Sequence, residues 1–238
     1  KKLILIALVS LGTVGFSQQT EHYTQYEFNQ FAFNPAVAGT KACIDIRTGY
    51  RFQWVGIEGA PQTGFVNIHA PLYFSKKKRN SFGPKHGIGG MVSRDKFGPF
   101  SFLQLQAAYA LHLPVSRNGR LSFGITLGLK QTSFATGQLT TELQDPLVPN
   151  SSQSYVIFPD SKFGVWYRDK KQYVGLSVHN LFGNRLQTGD NSVLQRHFYF
   201  TAGKSFRLDK GWSIIPSVFV LKTSKTPLDF HLSAILDL

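Results

Sequence analysis

Four histidines, His69, His112, His179 and His231, lie in segments where polar and apolar residues alternate, and each falls on the polar face. Imidazoles gathered on one face could ligate a metal ion, and an imidazole beside a hydroxyl could activate a nucleophile. None of the four has a second histidine or cysteine two or four residues on, and no acid cluster joins them. His112 and Ser122 fall on neighbouring segments, but a hydrolase also needs an orienting group and a recognisable nucleophile motif, and neither accompanies them. The reading is therefore non-enzymatic, with no catalytic residue, metal or cofactor assigned. Lys76-Lys77-Lys78-Arg79 is the one dense cationic run. It reads as a solvated hairpin drawn to acidic lipid head groups, and not as a nucleic-acid site.

The elements that carry these residues have a period of two. In Leu103 to Leu113, one face holds Leu103, Leu105, Ala107, Tyr109, Leu111 and Leu113, and the other holds Gln104, Gln106, Ala108, Ala110 and His112. Leu121, Phe123, Ile125, Leu127 and Leu129 oppose Ser122, Gly124, Thr126, Gly128 and Lys130 in the same way. The pattern predicts about ten strands, near 42–55, 62–75, 86–96, 100–115, 119–135, 161–169, 172–181, 196–208, 211–223 and 227–238. Strands of about 9 to 11 residues suit a tilted bilayer crossing, whereas those of soluble sandwiches average about 5 to 6. Composition agrees, with 14% aromatic residues, 22 glycines and only 16% charged residues among 238. The predicted fold is all-β: a transmembrane antiparallel up-and-down β-barrel.

Residues 1–17, KKLILIALVSLGTVGFS, have the basic start, apolar run and small-residue end of a secretory signal peptide. They carry Lys1 and Lys2 and no acid, so their removal takes the formal charge from +13 to +11. Cys43 is the single cysteine, which excludes an intrachain disulfide and reads as a small buried or lipid-facing hydrophobe. Tight turns at Ser116-Arg117-Asn118-Gly119, Asp169-Lys170-Lys171 and Leu208-Asp209-Lys210-Gly211 alternate with long connections at 136–160 and 182–195. Short turns on one rim and long loops on the other are the outer-membrane barrel pattern, with the short ones periplasmic. Lys76 to Asn80 is the exception, a long connection on the short-turn rim. Trp54, Tyr73, Phe74, Trp166, Tyr167 and Trp212 are candidates for interfacial girdles, with a plain core role the alternative for any one of them, and inward-facing Gly124 and Gly128 leave room for a plug, a bound segment or water.

One segment breaks the alternation. QYEFNQFAFNPAVAGT, residues 25–40, is too ring-rich for a linker and too broken for a strand. Asn34-Pro35 initiates a turn, Gly39 offers a left-handed backbone, and Tyr26, Phe28, Phe31 and Phe33 supply rings to pack against a wall. The expected organisation is a signal peptide at 1–17, a periplasmic plug or contact segment at 18–40, and a barrel at 41–238.

The same segment resembles the N-terminal signature of the PorP/SprF family of Bacteroidota outer-membrane proteins, Q-Y-x-x-N-x-x-x-x-N-P-A-x-A-G. The block Tyr50-Arg51-x-Gln53-Trp54-Val55-Gly56-Ile57-x-Gly59-Ala60-Pro61 resembles the family's first strand and hairpin. Arg94 to Pro99, Leu121 to Gly124, Tyr173 to Val178, Arg196 to Tyr199 and Pro227 to Phe230 fall at similar intervals. The resemblance implies a role in type IX secretion and gliding. It implies residence in the outer membrane among its lipids. It also implies partners: the C-terminal signal domain of exported adhesins, and periplasmic secretion components. The family's members continue for several strands beyond the Pro-Leu block, which implies that this chain is part of a larger barrel. Partner contacts would fall to Tyr26, Phe28, Asn29, Asn34 and Pro35 in the first segment, and to Arg51, Gln53, Trp54, Gly56 and Pro61 at the first hairpin. The alternative is a diffusion porin in which inward Arg120, Lys130, Lys162, Arg168 and Lys204 favour anions.

Overall fold

The computed structural model describes residues 26–73, 83–135, 154–183, 195–208, 211–224 and 227–237. After three short helical turns, Tyr26–Asn29, Gln30–Phe33 and Pro35–Val37, the regular elements among the described residues are all strands. The strands are β1 (Asp45–Phe52), β2 (Gln62–Leu72), β3 (Lys85–Phe97), β4 (Phe100–Pro114), β5 (Arg120–Phe134) and β6 (Ser154–Arg168). They continue with β7 (Gln172–His179), β8 (His197–Lys204), β9 (Phe206–Arg207), β10 (Ser213–Thr223) and β11 (Asp229–Asp237). Every pairing is antiparallel and joins sequence neighbours, with β9 continuing β8 along β10. The result is an up-and-down sheet of 11 strands whose outermost members, β1 and β11, do not pair with each other among the described residues.

The alternation in the sequence becomes an inside-out distribution of polarity. Ile68, Val92, Leu105, Ile125, Leu127, Leu129, Ile157 and Leu176 are exposed on one face. Asn67, His69, Gln106, His112, Ser122, Thr126, Asp160, Lys162, Ser177 and His179 are buried on the other. Water could not sustain an apolar band of that size, but a bilayer makes it the favourable surface. The described residues contain no helix long and apolar enough to cross a membrane. Fifteen-residue strands β4, β5 and β6 exceed the length a tilted crossing needs.

Two sequence expectations change. The connection expected at 136–160 ends earlier, because Ser154 to Asp160 already pair with β5, from Ser154 opposite Phe134 to Asp160 opposite Gly128. Pro159 hid this part of the strand. It lies in the half of β6 outside the pairing with β7, which among the described residues runs from Lys162 to Arg168. Trp166 is not in a girdle: it is 2% exposed, faces inward and stacks on Tyr173 at 5.0 Å, over the empty Gly175 position. Trp54 and Trp212 do remain on the surface, and Cys43 is exposed. Phe74 and Lys76 to Asn80 lie outside the described residues, as does 184–194 of the loop expected at 182–195.

Candidate functional site

Residues 26–40 lie against the polar face of the sheet, and from Phe33 onward they cross it against the order of the strands. Tyr26 stacks on Phe219 of β10 at 4.7 Å, and its hydroxyl meets Ser217 Oγ of β10 at 2.9 Å and Ser233 Oγ of β11 at 3.0 Å. The Phe33 carbonyl accepts from Ser177 Oγ and His179 Nε2 of β7, both at 2.6 Å, while its ring packs near Tyr199 of β8. Lys162 Nζ of β6 donates to the Ala32 carbonyl at 3.2 Å. Asn34 Nδ2 donates to the carbonyls of Val165 and Leu176 at 3.0 and 3.1 Å, bridging β6 and β7. Ala36 then lies over Gly124 of β5, and the Ala38 carbonyl accepts from His112 Nε2 of β4 at 2.8 Å. Gly39 N donates to His69 Nδ1 of β2 at 3.3 Å.

This path also fixes the curvature of the wall. From β2 to β11 a flat sheet would be about 38 Å wide at about 4.8 Å per strand. Fourteen residues, mostly in turns that rise about 1.5 to 2.0 Å each, reach little more than half that distance. The sheet must therefore curl around the segment. Seven of the fourteen residues in the hydrophobic cluster come from it: Tyr26, Phe31, Ala32, Phe33, Ala36, Val37 and Ala38. The interior of this protein is built around its N-terminal segment.

Local chemistry explains the Asn-Pro-Ala-x-Ala-Gly spelling. Asn34 is extended, with φ −133° and ψ 110°, and its Oδ1 accepts from Ala36 N at 3.0 Å, capping the turn that Pro35 enters at its first position. Positions 36 and 38 are fully buried, and only small side chains fit there. Gly39 has φ +71°, and a Cβ on it would lie 2.6 Å from Gly87 Cα. Gly124 and Gly164 are seats for the plug, since a Cβ on either would collide with Ala36 N or Asn34 Oδ1 respectively. Gly128 has a different role: its space is closed by Leu105 O and the Gln106 side chain of the neighbouring strand.

Of the residues expected to meet partners, Tyr26, Asn29, Asn34 and Pro35 are buried against the wall, whereas Phe28 is 57% exposed. Asn29 Oδ1 accepts from Asn67 Nδ2 of β2 at 2.5 Å. Arg51, Gln53, Trp54, Gly56 and Pro61 belong to a separate feature, the hairpin between β1 and β2 at the long-loop rim. Gln53 N donates to the Pro61 carbonyl at 3.1 Å, closing its base, and Gly98 N donates to the Gly59 carbonyl at 2.7 Å, tying it to the β3–β4 turn. Its tip is Trp54-Val55-Gly56-Ile57, with Trp54 72% and Val55 85% exposed. Trp54 itself has φ +50°, an unusual backbone for a bulky residue that holds the indole outward.

His112 and Ser122 do meet, with Nδ1 and Oγ 2.7 Å apart. The Ala38 carbonyl occupies the other ring nitrogen, so Nε2 donates there and Nδ1 accepts from the serine. The pair holds the plug. Alternation marked His69, His112, Lys162 and His179 as inward, but it carries no signal of what lies opposite them. Among the described residues no group of three or more His, Cys, Asp or Glu could hold a metal. At the tight-turn rim, the backbone amide of Lys171 above all holds the Asp169 carboxyl below its usual range.

Fold and interior together define a membrane β-sheet protein whose N-terminal segment fills its polar side. The family model for the type IX secretion system membrane protein PorP/SprF matches residues 15–238, and the chain belongs to that family. The family is one of secretion membrane proteins and not of enzymes. A search of curated proteins found no match.

Proposed function

We propose that the protein is a non-enzymatic outer-membrane component of a type IX secretion system. It binds or anchors exported surface proteins through their C-terminal signal domain and contacts the periplasmic secretion machinery. The observation that carries this reading is an interior packed by residues 26–40, which suits a scaffold better than an open pore. The long-loop rim faces outward and the tight turns face the periplasm. Cargo meets the hairpin of Arg51, Gln53, Trp54, Gly56 and Pro61, where exposed apolar side chains form a compact, backbone-tied tip. Phe28, the exposed ring of the plug, is the part of that segment open to a partner, while Tyr26, Asn29, Asn34 and Pro35 position it.

Affinity purification of the tagged full-length protein from outer membranes, with mass spectrometry of what co-purifies, tests this reading. Recovery of a large surface protein through its C-terminal domain, or of periplasmic secretion components, supports it. A protein without partners and with high, anion-selective single-channel conductance would replace it with a diffusion porin.

A further inference from the structure

The tight-turn rim holds a cavity of about 510 Å³ that none of the roles above uses. Residues Gly39 to Cys43 form one wall, with the ends of β2 to β6 around it. Among the described residues, five cationic side chains line it, Lys41, Lys85, Arg120, Arg168 and Lys170, against a single carboxylate, Asp169.

Among the described residues, most of that charge is not neutralised. Lys41 pairs with Asp45 at 2.7 Å, outside the lining. Asp169 accepts from the amides of Lys171 and Gln172 at 2.6 and 2.9 Å, which commits its Oδ1 to its own turn. Arg120 Nη1 donates to the Gly83 carbonyl at 3.2 Å, which satisfies a donor but leaves the charge. Arg120 and Arg168 stand directly opposite each other across β5 and β6. Like charges in register are destabilising, and a bound anion relieves the repulsion. The floor offers a ligand little else, because His112 and Ser122 are bonded to each other and to Ala38.

We propose that this cavity binds a carboxylate-rich peptide segment of a partner protein. The cations run from Lys85 on β3 to Arg168 on β6, three strand spacings or about 14 Å. One phosphate carries at most about two negative charges and cannot match five cations, whereas about four residues of extended peptide at about 3.3 Å each cover the distance and can carry a carboxylate at every position. Arginine forks take carboxylates two oxygens at a time. The cavity opens on the polar side of the wall, away from the apolar face that meets lipid tails. The assignment rests on the cavity alone and stands whether or not the secretion reading does.

The test is a fluorescence-anisotropy titration of the full-length protein in nanodiscs with a labelled tetrapeptide of alternating aspartate and glutamate. The expected result is saturable binding that weakens at least tenfold in Arg168→Gln, falls with added salt, and is absent for the asparagine–glutamine counterpart. Lys170→Gln, in an exposed turn, provides a second variant should Arg168→Gln fail to fold. Equal binding of the neutral peptide, no saturable binding, or affinity unchanged in the folded variants would overturn the proposal. Displacement of the peptide by inorganic phosphate at matched charge would assign a phosphate site instead, and displacement by phosphatidylglycerol vesicles a lipid site. Either would also overturn it.

Discussion

Asn34→Ala should unseat the N-terminal segment while leaving the wall intact. The Asn34 side chain is 3% exposed and makes three hydrogen bonds, to Val165 O at 3.0 Å, Leu176 O at 3.1 Å and from Ala36 N at 3.0 Å. At about 1 kcal/mol net for each, alanine removes about 3 kcal/mol of docking free energy. It also leaves space over Gly164, which has no side chain of its own to fill it. Since about 1.4 kcal/mol is a factor of ten, the undocked population should rise roughly a hundredfold. Limited chymotrypsin digestion reads this directly, because Phe31 and Phe33 are buried cleavage sites that become accessible only on undocking. Phe28→Ala, at a side chain 57% exposed, should leave protection at Phe31 and Phe33 unchanged. Cleavage of Asn34→Ala at the wild-type rate would refute the bridge between β6 and β7 as the anchor of the segment.

Gly124→Ala should destabilise the protein by about 1 to 3 kcal/mol in urea unfolding, because the new Cβ collides with Ala36 N. Gly90→Ala, whose nearest neighbour would be Gln106 O at 3.5 Å, should cost little by comparison. Leu127→Arg, on the exposed apolar face of β5, should cost about 2 to 4 kcal/mol in lipid vesicles if that face meets the bilayer core. A change below about 0.5 kcal/mol would mean that Leu127 meets water. Trp54→Ala should reduce recovery of surface-protein cargo in the affinity purification while shifting stability by no more than about 0.5 kcal/mol, since the indole is 72% exposed.

Strand alternation was legible because lipid and a polar interior impose opposite chemistry on successive residues, so Leu121 to Lys130 declares both faces. The N-terminal half of β6 was not, because Pro159 reads as a strand breaker, although Ser154 to Asp160 pair with β5. Trp166 was left between girdle and core, since a large ring near a strand end suits either, and the empty Gly175 position across from it makes room inside. The ring-rich segment at 25–40 stood out from its neighbours in composition, but its wall partners did not. His112 and Ala38, or Ser177 and Phe33, are joined by long-range geometry, and an inward-facing side chain does not name what it faces.

The central claim is that residues 26–40 occupy the polar interior as built structure. Hydrogen–deuterium exchange on the full-length protein in outer-membrane vesicles tests it most directly. The amides of Asn34, Ala36, Val37, Ala38, Gly39 and Thr40 all donate hydrogen bonds. They should exchange as slowly as the amides of β5. Exchange of this peptide at the rate of a free chain, with β5 still protected, would contradict the account.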